Sequence, residues 1–156
     1  MSLERMRDPR KPKHVYGTME ADYLYTLGVA GERFFKAIKD NSVILGAKCD
    51  KCGVVYLPPR LYCEVCFSEL KEWVDVGKRG YVYTYTIAYV DHDGKPLDKP
   101  IIYALIRING TVGGILHKLG EVDPEKVYIG MEVEAVLKPP EQRTGSINDI
   151  LYFRPV

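Results

Sequence analysis

The sequence has almost no charge excess: 22 Lys and Arg stand against 21 Asp and Glu, a formal net charge of +1. A general polyanion binder would carry surplus cations, because phosphate neutralisation supplies most of that affinity. A local basic groove stays compatible with the balance. No run of about 18 apolar residues occurs, which excludes a helical membrane span. The opening "MSLERMRDPRKPKH" is charged and has no apolar centre, so it does not read as a secretory signal. The expected compartment is the cytoplasm. Internal repeats and low-complexity stretches are missing, as are a Walker loop, GxGxxG, G-x-S-x-G and H-E-x-x-H, each of which would point to a reaction. Large aromatics are scarce, with 1 Trp and 4 Phe, but Tyr occurs 12 times. Tyrosine packs on one side and hydrogen-bonds on the other, which suits strand surfaces, interfaces and grooves alike.

Present in quantity are apolar residues, 46% of the 156, enough for a folded globular chain of one domain or two small ones. Residues 1–17 carry five Lys or Arg and three Pro or Gly and read as an extended arm. Residues 18–42 read as two short helices. Thr18 caps the first, Gly28 interrupts it, and Phe34, Phe35 and Ile38 form the apolar stripe of the second. "SVILGAK" and "VVYLPP" read as strands flanking the first cysteine pair, with Pro58-Pro59 as a stop. They belong to a small module over 43–72, too short for a self-sufficient core. From Trp73 onward, over 73–156, the pattern is strand-rich. "GYVYTYTIAYV" is the first strand, "DHDGKPLDKP" a polar loop and "IIYALIRI" the second strand. Asn109-Gly110 predicts a type I′ turn into "TVGGILHKL", where Gly113-Gly114 marks a bulge or a close approach. Asp123 as N-cap with Pro124 at the first position predicts one helical turn. "MEVEAVLKP" and "ILYFRP" close the set around a loop, "PEQRTGS". Five antiparallel strands with a helical element between the third and fourth match an OB-fold, a Greek-key barrel, over other small barrels or sandwiches.

All four cysteines fall in "CDKCGVVYLPPRLYCEVC", as two C-x-x-C pairs. Cys49 with Cys52, and Cys63 with Cys66, each bite one metal from a tight turn, and two such turns complete a tetrahedron around Zn2+. Gly53 follows the first pair and lets amides turn toward the sulfurs. Phe67 follows the second, where the usual glycine is missing. In a reducing compartment this spacing favours metal over disulfides. An all-thiolate site leaves no open position for substrate, so structural zinc is preferred over a redox dithiol. A rubredoxin-like iron centre has the same ligands and stays open as an electron carrier.

His14, His92 and His117 have no ligand set around them and read as ordinary histidines. Asp91, Asp93 and Asp98 share a solvated loop that departs from an EF-hand. With no catalytic constellation, the chain alone is not expected to be an enzyme. Tyr81, Tyr83, Tyr85 and Tyr89 share one face by period two, which raises single-stranded nucleic-acid binding as an alternative. The near-neutral charge weighs against it.

The segments "FFKAIKDNSVILGAKCDKCGVVYLPPRLYCEVC", "WVDVGKRGYVYTYTI", "PIIYALIRI" and "IGMEVEAVL" with the closing "FRP" resemble the acyl-CoA-associated zinc-ribbon/OB-fold proteins, long classed as a domain of unknown function. "YLYTLGVAGERFF" is similar to their archaeal branch. The resemblance implies a mainly β chain with N-terminal helices, a rubredoxin-like four-cysteine zinc ribbon and a five-stranded OB-fold barrel. It implies a non-catalytic acyl-CoA-binding scaffold in partnership with thiolase-superfamily enzymes. In archaea the pair is acetoacetyl-CoA thiolase and 3-hydroxy-3-methylglutaryl-CoA synthase, between which an intermediate passes; other relatives join hydratase-like or aldolase-like partners. A bridging role asks for surfaces rather than acids and bases. Phe34, Phe35, Tyr56, Tyr62 and Trp73 are aromatic candidates for partner contact or for core. Arg60, Lys78 and Arg79 are candidate cations for CoA phosphates.

Overall fold

The computed structural model describes residues 24–156. The arm expected over 1–17 and the helix start expected at Thr18 lie outside those residues. Leu24–Leu27 form no helix, and α1 is a single helix over Gly28–Asn41. Gly28, at φ +65°, therefore opens this helix instead of interrupting one. Phe34, Ala37 and Ile38 are its buried residues, spaced to lie on one face. The helix stops at Ser42, which turns left-handed (φ 59°); its N–H returns to the Ile38 carbonyl and the Val43 N–H to the Ala37 carbonyl. Arg143, from the far end of the chain, caps the same terminus. Its guanidinium donates to Ile38 O at 3.2 Å, Lys39 O at 3.3 Å and the Ser42 hydroxyl, while its Nε donates to Lys138 O at 2.7 Å.

A four-stranded sheet in the order β3-β1-β2-β6 carries the cysteine turns. Its members are β1 (Leu45–Lys48), β2 (Val55–Leu57), β3 (Glu72–Asp75) and β6 (Thr111–Gly113). The barrel closes in the order β4-β5-β7-β9-β8, from β4 (Arg79–Val90), β5 (Pro96–Arg107), β7 (Ile115–Leu119), β8 (Glu132–Leu137) and β9 (Ile150–Pro155). Strands β7 and β9 pair in parallel and the other neighbours antiparallel, the Greek-key closure of an OB-fold. Between β7 and β8, Pro124–Lys126 make the expected single turn, with the Asp123 carboxylate accepting the Glu125 N–H.

The two sheets are joined by one strand. The stretch expected as a single third strand divides at Gly113-Gly114: β6 pairs in parallel with β2, and β7 goes to β5. The register is Val55↔Thr111, Tyr56↔Val112 and Leu57↔Gly113. Gly113 sits at φ +101°, and a Cβ there would drive into the Leu57 carbonyl oxygen, so the close approach is real. The change of sheet also alters the preceding turn. Gly110 has φ +77° but Asn109 stays out of the left-handed region, so this is not the type I′ hairpin turn. Another departure concerns the polar loop before β5, which shrinks to 91–95. The Asp91 carboxylate accepts the N–H groups of Asp93 and Lys95, closing the turn early, and Val90 pairs with Pro96. Pro100, with no N–H to give, falls where the ladder loosens between Ala88 and Val90.

Phe34, Ile38 and Ile44 share one core with Leu57 of β2 and with Val82, Ile106 and Phe153 of the barrel. A second, much smaller core under the cysteines holds Ala47, Cys49, Tyr56, Cys63 and Leu70.

Asp149, fully buried before β9, organises the last loop by accepting the N–H groups of Thr144, Gly145 and Ser146 at 2.9, 2.7 and 3.3 Å. Burial pushes its carboxyl up, but those donors outweigh burial and hold it below the ordinary carboxylate range. A carboxylate lowered on folding stabilises the fold fully above its unfolded value, and the contribution disappears as pH falls through the folded one. Asp149→Asn is therefore expected to lower stability at pH 7 by about 2 kcal/mol, the scale of hydrogen bonds to a charged group. The deficit should shrink in acid, read from urea unfolding at pH 7 and pH 3; a deficit that grows toward acid contradicts the assignment.

Candidate metal centre

Both cysteine turns use the same pair of backbone bonds. In the first, Cys49 N–H donates to Val54 O and Gly53 N–H returns to Cys49 O, each at 2.8 Å. In the second, Cys63 N–H donates to Ser68 O at 2.9 Å and Phe67 N–H to Cys63 O at 3.0 Å. Gly53 has φ +69° and Phe67 has φ +57°. Phe67 thus occupies the glycine position of its turn, at a backbone cost of about 1 kcal/mol. The missing glycine noted in the sequence is accommodated by strain, not by a different turn.

The four sulfurs lie within 4.8 Å of one another, with Cys49 Sγ to Cys66 Sγ at 3.5 Å and Cys52 Sγ to Cys63 Sγ at 4.0 Å. Zinc–sulfur bonds of about 2.3 Å at tetrahedral angles put sulfurs about 3.8 Å apart, so the donor set fits a four-thiolate zinc ion. Cys49 and Cys63 are buried, and Cys52 is exposed.

Neighbouring donors reach the sulfurs. Cys52 N–H donates to Cys49 Sγ at 3.4 Å, and Ser68 Oγ lies 3.3 Å from Cys66 Sγ. The hydroxyl of Tyr56, a buried residue of β2, lies 3.3 Å from Cys63 Sγ and accepts Glu64 N–H at 3.2 Å. That contact, with help from backbone amides and against burial, holds the Cys63 thiol down to about 6. The same contact and burial push the Tyr56 phenol up to about 12. Cys52 is pushed up to about 12, first by its hydrogen bond with Cys66. Cys49, Cys52, Cys63 and Cys66 would all be thiolates with zinc bound, which would end this competition for protons. Tyr56, one of the aromatics offered as partner contact or core, is a core residue, and its hydroxyl stands against a sulfur of the candidate metal site. Tyr56→Phe is expected to speed zinc transfer to a chromogenic chelator about tenfold, the lower end for loss of an outer-sphere partner. An unchanged transfer rate contradicts that role.

The candidate cations are not gathered into one pocket. Arg60 is paired with Glu64 and lies 5.4 Å over the Tyr56 ring. Arg79 Nε stands 3.7 Å from Glu134 of the neighbouring strand β8. Lys78 has no side-chain partner among the described residues, and its carbonyl accepts Ala135 N–H. The candidate aromatics also separate. Phe34 is a core residue, 3% exposed, and is therefore not available as contact area. Phe35 is half-buried and packs edge-on against Phe34 at 5.2 Å, and Trp73, on β3, lies under the Arg33 guanidinium at 4.7 Å. Tyr62 is exposed, as are Leu61, Val65 and Phe67, four apolar side chains within seven residues of the second turn. Sequence reading missed the last three, although the phenylalanine in a glycine position was the available signal.

The four-tyrosine face is corrected by a β-bulge. Val82 pairs with Ile106 and Thr84 with Leu105, leaving Tyr83 as the extra residue, after which in and out are exchanged. Tyr85 consequently packs on the barrel core, and Tyr89 falls at a second irregularity. Of the histidines, His92 sits 3.4 Å from Asp93 in the exposed 91–95 turn. His117 is half-buried with Nε2 3.3 Å from Ile147 O, and burial lowers its pKa. No helix among the described residues is long and apolar enough to cross a membrane.

Residues 37–72 match the family model described as the ChsH2 rubredoxin-like zinc ribbon domain, and residues 73–138 the ChsH2 C-terminal OB-fold domain. The chain is similar to a DUF35 domain-containing scaffold protein of Methanocaldococcus jannaschii, 33% identical over 80% of this chain and 89% of the relative. It is similar to the benzoylsuccinyl-CoA thiolase subunit BbsA of Geobacter metallireducens, 30% identical over 69% of this chain and 70% of that one. A solved DUF35-family structure from Sulfolobus solfataricus superimposes with a TM-score of 0.65 at 32% identity, covering 83% of this chain and 87% of the other.

Proposed function

Because this chain belongs to the DUF35 family of zinc-ribbon and OB-fold proteins, we propose that it is a non-catalytic scaffold for acyl-CoA enzymes. It docks on thiolase-superfamily enzymes and bridges acetoacetyl-CoA thiolase to 3-hydroxy-3-methylglutaryl-CoA synthase while an acyl-CoA passes between them. Support comes from a relative named as a scaffold protein and another named as a thiolase subunit.

The observation that carries the reading is the joint between the sheets. A bridge must transmit a fixed geometry, and the parallel pairing of β2 with β6, a strand that runs straight on into β7 of the barrel, makes one frame of the ribbon sheet and the barrel. Cys49, Cys52, Cys63 and Cys66 hold a structural zinc that keeps the ribbon turns rigid. The exposed second turn, with Tyr62 at its edge, and half-buried Phe35 and Trp73 offer contact area to an enzyme partner. Of the three candidate cations, Lys78 is the one with no carboxylate partner among the described residues, while Arg60 and Arg79 would exchange carboxylates for a CoA phosphate. The cytoplasm is the compartment such a role requires.

The test is copurification of the zinc-loaded chain, tagged and expressed with the thiolase and the synthase of the same cell. Recovery of either enzyme in fixed ratio, with zinc and not iron by metal analysis, is the expected result. Failure to recover either one overturns the reading.

A further inference from the structure

Arg107 is a half-buried cation with nothing to neutralise it. Its Nε is buried without a hydrogen-bond acceptor, and it forms no ion pair among the described residues. Among the described residues its guanidinium stacks on Tyr83, with the guanidinium carbon 3.6 Å from the ring centroid. A guanidinium with no carboxylate beside it keeps its charge free to meet an anion.

The surroundings are built to keep it there. Tyr83 is the extra residue of the β4 bulge, and bulges re-aim a side chain out of the regular alternation. It is 43% exposed. Gly114, the residue before β7, leaves room for the arginine stem, since a Cβ would meet Arg107 Cγ at 3.4 Å and Ile106 O at 2.7 Å.

Register defines the rest of this outer face. Tyr81 is opposite Arg107; Thr84, Leu105 and Leu116 form the next row; Thr86, Tyr103 and Lys118 form the third. Cross-strand partners point to the same side of a sheet. Arg107 and Lys118 are the charged residues of these rows, and no carboxylate stands among them. Glu132 lies beyond Tyr81, on β8, a further strand away from Arg107. Leu116 is 67% exposed, so apolar surface adjoins the cation.

We propose that this outer face of β4, β5 and β7 binds a nucleoside phosphate, with its phosphate on Arg107 and its base against the Arg107–Tyr83 stack. Exposed aromatic and guanidinium faces accept any base, and guanidinium forks accept phosphate. Two cations are too few for a long polyanion, so the ligand is a small nucleotide such as the adenosine bisphosphate end of coenzyme A. This rests on the acyl-CoA reading above and adds a place for the ligand away from Arg60, Lys78 and Arg79.

Titration calorimetry of the zinc-loaded full chain tests it, using adenosine 3′,5′-bisphosphate, coenzyme A and a short oligothymidylate as probes. The bisphosphate is expected to bind and coenzyme A to displace it. Arg107→Gln and Tyr83→Ser should each weaken both about tenfold, whereas Arg107→Lys, which keeps the charge, should lose less. Wild-type affinity for coenzyme A in both R107Q and Y83S overturns this site and leaves CoA binding intact. No binding of either nucleotide to the wild type overturns both. Oligothymidylate displacing the bisphosphate overturns the choice of a small nucleotide.

Discussion

Removing the zinc, or replacing Cys49 with Ser, is expected to unfold the ribbon while the barrel survives. The core under the cysteines consists of Ala47, Cys49, Tyr56, Cys63 and Leu70, and two of these five belong to the four-cysteine set that would hold the metal. So small a core does not offset the conformational entropy of ordering some thirty residues, at about 1–2 kcal/mol each. Metal binding at such sites supplies about 10–16 kcal/mol, comparable with the whole stability of an ordinary domain. The barrel has its own closed ladder and a core that includes Val82, Ile106, Val133 and Phe153. Hydrogen exchange on chelator-treated protein should therefore show β1, β2 and β3 exchanging freely while β4, β5, β8 and β9 stay protected. The loss of Leu57 and Ile44 from the shared core should still lower the barrel's melting temperature. Unchanged protection in the ribbon after complete zinc removal would contradict a structural role for the metal.

Gly113→Val should have the next largest effect, because it attacks the joint between the sheets. Valine is β-branched and strongly disfavours φ +101°, and its Cβ would enter the Leu57 carbonyl. No flexible side chain is in the way to move aside, so β6 must leave β2. We expect a loss of about 3 kcal/mol or more, combining a forbidden backbone region with a broken ladder. Gly77→Ala separates the two causes: Gly77 also has positive φ, at +79°, but nothing lies within 4 Å of an added Cβ. That variant should cost only about 1 kcal/mol, from the backbone alone. Equal midpoints for the two variants in guanidinium unfolding would mean that the close approach contributes nothing.

Local signals in the sequence identified what local chemistry decides. The C-x-x-C spacing placed the four thiols, Asp123-Pro124 placed its single turn, and "ILYFRP" placed β9 at its observed ends. Strand count and order pointed to the OB-fold because turns and alternation are short-range properties. What was illegible depends on partners far away in the chain. Nothing near Thr111 says that three residues leave one sheet for another; the pairing with Val55–Leu57 decides it. The bulge at Tyr83 inverted the tyrosine face because alternation presumes an unbroken ladder. Arg143 read only as part of the polar loop "PEQRTGS", and Asp149, just beyond it, carried no signal of its own, yet one caps α1 across about a hundred residues and the other holds the loop shut. Phe67 was seen as a missing glycine, but only the backbone angles show a left-handed turn held by an aromatic that is 80% exposed. An exposed aromatic kept in a strained position is the kind of residue a docking surface uses.

We propose above that one rigid frame bridges two enzymes. Mass photometry of the purified zinc-loaded chain mixed with the purified thiolase and synthase tests it most directly. The wild type is expected to give a species containing all three proteins. With Gly113→Val, whose sheets are no longer joined, at most pairwise complexes are expected. Separate components in the wild-type mixture, or a three-protein species undiminished by Gly113→Val, would contradict it.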